Sequence, residues 1–394
     1  MSGYKQSDRG DPSDQNDRRD RNDRRDQSVR YWVGFNIVRG IGPTRLRALL
    51  DYFGDVERAW HAPDAELQRA GLDRRSRANL LTVRATYDLD LEVERVAESG
   101  ARVLTWESAD YPHLLREIAD PPPVLYVKGT IMEEDAWAVA VVGTRRASPY
   151  GREVTRRLTE TLARSGITIV SGMARGIDAE AHWSALKAGG RSIAVLGCGI
   201  DQVYPPEHRK LAAEIAAHGA VVSDYPLGTP PEGINFPPRN RIISGLSLGV
   251  LVTDAGVRSG ALITADFAAE QGRDVFAVPG SILARGCAGT NGLIRDGAHV
   301  VLGPEDILEE LNLTMVAEQA EARQVLPSDA TEAALLAHMT EEPTHVDELG
   351  RQVGLPIAQV TSTLAIMELK GMVRQMGGMK YVVAREPGVA YVVE

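Results

Sequence analysis

The sequence has few cysteines, no long apolar run, and none of the common catalytic or nucleotide-phosphate signatures, and each absence removes a class of protein. Cys198 and Cys287 are the only 2 cysteines among 394 residues. They lie far apart without histidines at metal-ligand spacing, so neither a disulfide framework nor a zinc site is expected, and both read as plain buried thiols. No apolar stretch approaches the roughly 18 residues of a membrane span, and no apolar segment follows the N-terminal charges. A transmembrane helix and a secretory signal are therefore not predicted, and the expected location is cytoplasmic. No nucleophile elbow, Walker lysine pattern or metal-ligand set occurs.

What is present is a soluble-type composition, 43% hydrophobic, with a formal net charge of −10. The length exceeds what one ordinary core accommodates, which predicts two or three domains. An acidic total argues against coating DNA by bulk charge. It leaves open a partner met by locally clustered arginines.

Residues 1–28 alternate aspartate and arginine with almost no apolar content, and are expected to be a disordered, near-neutral tail. From Tyr31 the pattern YWVGFNIVRGIGPTRLRALLDYF reads as helix, glycine turn, helix. With the weaker unit LQRAGLDRRSRANLL it predicts a helical domain of helix-hairpin-helix or SAM-like type over residues 29–105. The GIG turn is read two ways, as a backbone grip for a DNA phosphate or as a plain packing module.

Residues 106–312 carry strand-like runs at 136–142, 167–170, 192–197, 220–225, 249–254, 274–278 and 299–302, alternating with helical segments. Near-continuous apolar strands separated by helices predict a mostly parallel, doubly wound α/β sheet of Rossmann-like type. A polar linker is expected over 313–330. Residues 331–394 read as three helices and a glycine-turned hairpin, the order of a winged helix.

Ligands of an open parallel sheet meet the loops at the carboxyl ends of its strands. Those loops read GTRRASPYG, SGMARGIDAEAH, GCGIDQVYP, FPPRNR and AGVRSGALIT. Glycine lets backbone approach an anion, and arginine offers a planar fork to phosphate. Such a series describes a groove lined for several phosphates. A dinucleotide is disfavoured because Gly143 is followed by Thr144, Arg145, Arg146 and Ala147 where G-x-G-x-x-G would stand. Asp178, Glu180 and His182 can be drawn as catalytic groups, but an aspartate at a helix start more often caps it, and structural roles are favoured for all three.

The blocks VVGTRRASPYG, SGMARGIDAEAH, AVLGCGIDQVYP, FPPRNRIISGLS, GVRSGALITADFAAEQGRDVFAVPG and GTNGLIRDGA, in that order over about residues 108–310, resemble the successive motifs of the DNA-processing protein A (DprA, Smf) family. The resemblance implies a non-enzymatic single-stranded DNA-binding protein that protects incoming strands, dimerises, and loads the RecA recombinase onto them in natural transformation and recombination. It implies no cofactor, metal or catalytic residue. Carried over by motif, it assigns DNA contacts to Arg145, Ser148, Ser171, Gly172 and Arg175, to Phe236 as a base-stacking aromatic, to Arg239, Asn240 and Arg241 on the backbone, and to Arg258, Ser259 and Gly260. A homodimer contact is implied at Leu293 and Ile294. Two departures stand out: Pro238 occupies a position often basic or polar in relatives, and Asp254 stands in place of a glutamate. The helix PIAQVTSTLAIMELKG carries one lysine and no arginine, which favours a protein contact or weak DNA role for the winged helix. The alternative from another class is a Rossmann-like nucleotide-hydrolysing enzyme related to lysine-decarboxylase-like proteins, whose P-G-G-x-G-T-x-x-E signature is missing here.

Overall fold

A computed structural model describes residues 28–314, 316, 329–339, 343–370 and 372–383. The charged tail up to residue 27 and most of the linker fall outside these residues. The chain divides into two units, Met1–Leu311 and Asn312–Glu394.

The first unit opens with six helices: α1 (28–37), α2 (Pro43–Phe53), α3 (Val56–His61), α4 (Asp64–Arg69), α5 (Arg74–Thr86) and α6 (Leu89–Glu98). Asp55, Asp73 and Asp88 cap α3, α5 and α6 by accepting bonds from free first-turn amides. The turn between α1 and α2 holds Gly40 at φ 95°, a backbone region that a side chain would strain. The Gly40 carbonyl accepts bonds from Arg45 and from Ser76 Oγ at 3.3 Å. Those contacts pin the hairpin to α5.

Strands β1 (Arg102–Thr105) and β2 (Val124–Gly129) follow, with the short helix α7 (His113–Arg116) between them. The parallel strands are β3 (Ala138–Val142), β4 (Thr168–Ser171), β5 (Ser192–Val195), β6 (Ala220–Ser223), β7 (Gly249–Val252), β8 (Asp274–Ala277) and β9 (His299–Val300). They alternate with α8 (Pro149–Arg164), α9 (Ile177–Lys187), α10 (Arg209–His218), α11 (Phe236–Gly245), α12 (Ala261–Glu270) and α13 (Ala288–Arg295), and α14 (Pro304–Glu310) closes the unit. The sheet order is β1-β2-β6-β5-β4-β3-β7-β8-β9, with β1 and β2 antiparallel at one edge. Each of the seven apolar runs read from the sequence becomes a strand. The antiparallel pair was not anticipated, although the continuous apolar run VLYV behind three prolines carried a strand signal.

Residues on alternate sides of the pleat separate two cores. Leu125, Val127, Ile193 and Val195 face α11 and α12 in one cluster. Val124, Tyr126, Ala194 and Leu196 face the other way and share a cluster with Trp32, Phe35, Leu46 and Trp60 of the helical segment. Asn36 fastens this contact, donating to the Asp224 carbonyl at 3.1 Å and accepting from the Tyr126 hydroxyl at 3.0 Å. The helical segment is thus one wall of the sheet rather than a separately cored body.

The second unit contains α15 (Ala330–Ala337), β10 (Thr344–His345), α16 (Val346–Val353), α17 (Ile357–Leu369), β11 (Val373–Gln375) and β12 (Lys380–Val383), with a sheet ordered β10-β12-β11. Leu335, Val346, Leu349, Val360, Leu364 and Tyr381 form its own core. This is a winged helix. Among the described residues no helix is long and apolar enough to cross a membrane.

Candidate nucleic-acid interface

Strands β4, β5 and β6 lie on one side of β3, and β7 and β8 lie on the other. The chain reverses its winding between β3 and β7, and that switch point opens a crevice at the carboxyl ends of the strands. A cleft of about 410 Å³ occupies this place.

Its first wall is the loop after β3. A side chain on Gly143 would begin 2.8 Å from Ile177 Cβ and 2.9 Å from the Asp254 carbonyl, so glycine is required for the loop to lie this close to α9 and to the loop after β7. The Thr144 amide donates to the Asp254 carbonyl at 2.7 Å. The Asp254 carboxylate, 2% exposed, accepts from both the Ser148 amide at 2.9 Å and the Ser148 hydroxyl at 2.8 Å. Ser148 Oγ also caps α8 by accepting from the Gly151 amide at 2.9 Å. Ser148 is therefore spent on holding the loop. The two arginines between these anchors project outward and exposed.

The opposite wall is α11, and here the structure changes the reading of FPPRNR. The segment is helical from Phe236 onward, with prolines in its first turn. Pro237 and Pro238 carry no N–H, so this helix start offers fewer free amides to an anion than an ordinary one. The positive charge comes instead from side chains. Arg145 places its guanidinium carbon 5.3 Å from the centre of the Phe236 ring, and Arg239 lies 5.9 Å from it on the buried side. Tyr204 adds a tilted ring at 5.7 Å.

Arg239 is 3% exposed, and its Nη1 donates to the Val195 carbonyl. Burial pulls its pKa down, and Asp178, which also lines the cleft, opposes that shift. Burial in turn raises the Asp178 pKa against the pull of Arg239. Both groups crowd the point where a Gly172 side chain would begin, so Gly172 is the gap that admits them.

Arg241 is not brought into the cleft. It pairs with Asp224 at 2.9 Å and Asp120 at 3.4 Å. Two residues along a helix is a turn of about 200°, which points Arg239 and Arg241 to opposite sides. Ser171 is likewise inside the sheet, its hydroxyl donating to the Val141 carbonyl at 2.6 Å.

The floor is completed by the loop after β7. Arg258, Ser259 and Gly260 line the cleft with Asn240, whose Nδ2 donates to the Gly260 carbonyl at 3.4 Å. Gly172 and Arg175 line a small adjoining recess beneath Phe236. Arg175 is held there by Glu207 at 2.5 Å, a pair that raises the arginine pKa. Leu293 and Ile294 lie half-buried on α13 outside the cleft, and Leu293 lines an adjoining groove with Leu262 and Ile263.

The triad drawn from GIDAEAH does not assemble. Asp178 Oδ2 accepts from the Ala174 amide at 3.3 Å, Glu180 faces Arg152 at 3.6 Å, and His182 Nδ1 bonds Ser192 at 2.7 Å inside the core. Arg146, beside Arg145 in the same loop, lines the cleft and belongs with the site. Its neighbour in sequence was the available signal.

Arg145, Arg146 and Arg258 form no ion pair among the described residues, although the buried Asp178 in the same wall feels the charge of Arg145 through space. Elsewhere in the sheet unit Arg152, Arg156, Arg191 and Arg273 are tied to acids. Fold and cleft define a Rossmann-like protein with an unneutralised cationic crevice at its switch point and a winged-helix unit. Residues 102–312 match the family described as DNA recombination-mediator protein A, and residues 319–379 match the DprA winged helix domain. The chain is 37% identical over 388 residues to Protein Smf of Synechocystis, covering 89% of this chain and 98% of that one. It is 38% identical to Protein Smf of Escherichia coli, over 85% and 93% of the two chains. Among solved structures, DNA processing protein A of Streptococcus pneumoniae superposes with a TM-score of 0.64 at 35% identity, over 71% of this chain and 97% of that one. The chain belongs to the DNA recombination-mediator protein A family.

Proposed function

We propose that the cleft binds single-stranded DNA without reacting with it, and that the protein protects that strand and hands it to the RecA recombinase in recombination and natural transformation. The observation that carries this reading is the set of arginines without an ion-pair partner, Arg145, Arg146 and Arg258, ranged around a partly buried Phe236 in a chain of net charge −10. Phosphates meet the guanidinium groups, and an unstacked base meets the Phe236 face. Every base has such a face, so sequence preference is weak. A duplex hides its bases and meets the acidic remainder of the surface. Family membership supports the recombination role.

Arg239 acts from beneath Phe236, bracing the ring while its charge offsets the buried Asp178 carboxylate. Leu293 and Ile294, on a face with exposed Ile263, fit a homodimer contact. The nucleotide-hydrolysing reading has no support in the cleft, where the buried carboxylate of Asp178 is committed to a backbone amide and to Arg239. We place no cofactor or metal in the proposed role, and no enzymatic step.

The test is equilibrium binding of fluorescent oligothymidine and of a matched duplex across a salt series. Tighter single-strand binding is expected, with log K falling by about 0.7 per neutralised phosphate for each unit of log salt. Equal or greater affinity for duplex overturns the reading. Filament assembly on strand precoated with a single-strand binding protein checks the recombinase step, with acceleration expected.

A further inference from the structure

We propose that the strand track continues beyond the cleft toward the loop after β8, where Arg285 of that loop and Tyr150 of the first turn of α8 form a second single-strand subsite. This rests on the reading of the cleft given above and extends it.

Three segments meet at Asp254. Its carboxylate holds Ser148, two residues before Tyr150. A side chain on Gly286 would begin 3.1 Å from its other oxygen, and one on Gly256 would begin 3.3 Å from the Arg285 carbonyl. The Gly289 amide donates to the Ala255 carbonyl at 2.7 Å, locking the segment after β8 onto the loop after β7. Tyr150 therefore stands on the same rigid edge as Arg258 and Arg285. Its hydroxyl donates to the Pro279 carbonyl at 3.0 Å, while the side chain stays 49% exposed. An aromatic fixed at its edge and open on its face loses little entropy when a base stacks on it.

Charge selects the occupant. Arg285 is exposed and, like Arg145, Arg146 and Arg258, forms no ion pair among the described residues. The loop PGSILARGC holds no acidic residue. Ile282 and Leu283, 92% and 90% exposed, supply apolar surface to base faces rather than to a neighbouring element. The other exit from Arg258 is a groove of about 600 Å³ toward Leu293, and it carries Asp266 together with Asp296, which pairs with Arg295 at 2.9 Å. The acids there offset the arginines, whereas the loop after β8 adds Arg285 with no acid beside it.

The full chain is titrated with oligothymidines on the order of 6 and 16 nucleotides, lengths within the range that single-strand sites occupy. Tyr150→Leu and Arg285→Ala are expected to leave the short oligomer unaffected. The long one should weaken by at least about fivefold for Tyr150→Leu, the low end of one base stack. Arg285→Ala should lower the salt slope for the long oligomer by about 0.7. Tyr150→Phe, which keeps the ring face and loses only the Pro279 bond, should bind the long oligomer as the parent does, separating stacking from loop support. Unchanged long-oligomer affinity in both Tyr150→Leu and Arg285→Ala overturns the subsite while leaving the cleft intact. Failure of the parent to bind the short oligomer overturns the cleft reading itself. A change of sedimentation in Ile282→Ser/Leu283→Ser with long-oligomer affinity retained overturns the subsite in favour of a protein contact.

Discussion

Phe236 and Arg145 divide the work of the cleft between shape and charge, and substitutions can separate the two. Phe236→Leu removes a base stack worth about 1–3 kcal/mol while leaving the phosphate contacts in place. Affinity for oligothymidine should fall by that amount with an unchanged salt slope, whereas Arg145→Ala should reduce the slope by about 0.7. Anisotropy titrations at several salt concentrations measure both. A second expectation concerns His182, whose imidazole is pushed down to about 3 by burial, with His208 and Arg239 adding to the effect. Between that value and the unfolded pKa of about 6.5, the unfolded chain binds a proton that the native chain does not. Stability therefore rises with pH through this window, is complete above it, and at pH 5 is lower by about 2 kcal/mol from this group alone. Urea unfolding at about pH 5 and pH 7.5 should show this acid sensitivity in the parent and not in His182→Gln.

The elements that carry these residues are joined through Asp254, the departure that the sequence left without a role. Its short side chain fits because the first turn of α8 holds Gly151: a side chain there would start 2.8 Å from the Asp254 carboxyl carbon. A glutamate adds a methylene to a full space, so Asp254→Glu is expected to cost about 1–3 kcal/mol by overpacking. It should also displace Ser148 and weaken strand binding, unless Gly151 and its surroundings shift freely. Unfolding midpoints and oligomer affinity measured on one preparation test this, and retention of both would show that the loop after β3 is held elsewhere.

At this scale the sequence was legible in an uneven way. The inner apolar runs were plain because strands covered on both faces leave few polar positions to blur them. The edge pair β1 and β2 was missed because it is joined not by a helix of ordinary length but by a turn, the short α7 and three prolines, which read as irregular connection. FPPRNR looked like a corner because consecutive prolines usually mark one, yet prolines are equally at home in a helix's first turn. Taking it as a loop put Arg239 and Arg241 on the same side. As a helix, it parts them.

For the whole molecule, the division at Leu311 and Asn312 and the shared core of the helical segment lead to contrasting truncations. A chain ending at Leu311 keeps both sheet clusters, and should retain oligothymidine affinity and its thermal midpoint. Removing residues 28–101 instead uncovers Val124, Tyr126, Leu196 and Val221, which are 3% exposed or less in the whole chain. That variant should be poorly soluble or much less stable, as exposed apolar patches of this kind associate. Soluble yield and thermal scans of the two variants settle the contrast, and a stable, binding-competent chain lacking 28–101 would show that the helical segment is dispensable.

The sequence by itself determined the doubly wound sheet, the loops that face the crevice and the family, because strand burial and glycine-arginine loops are written in consecutive residues. Only the tertiary structure decided which charges remain available. Arg145, Arg146, Arg258 and Arg285 stay unneutralised, Arg241 is consumed by Asp224 and Asp120, and Ser148 and Ser171 are used up as anchors. Whether a polar group is free depends on partners brought from distant parts of the chain, as Asp254 reaches Ser148 across 106 positions. Nothing local in a sequence records that pairing.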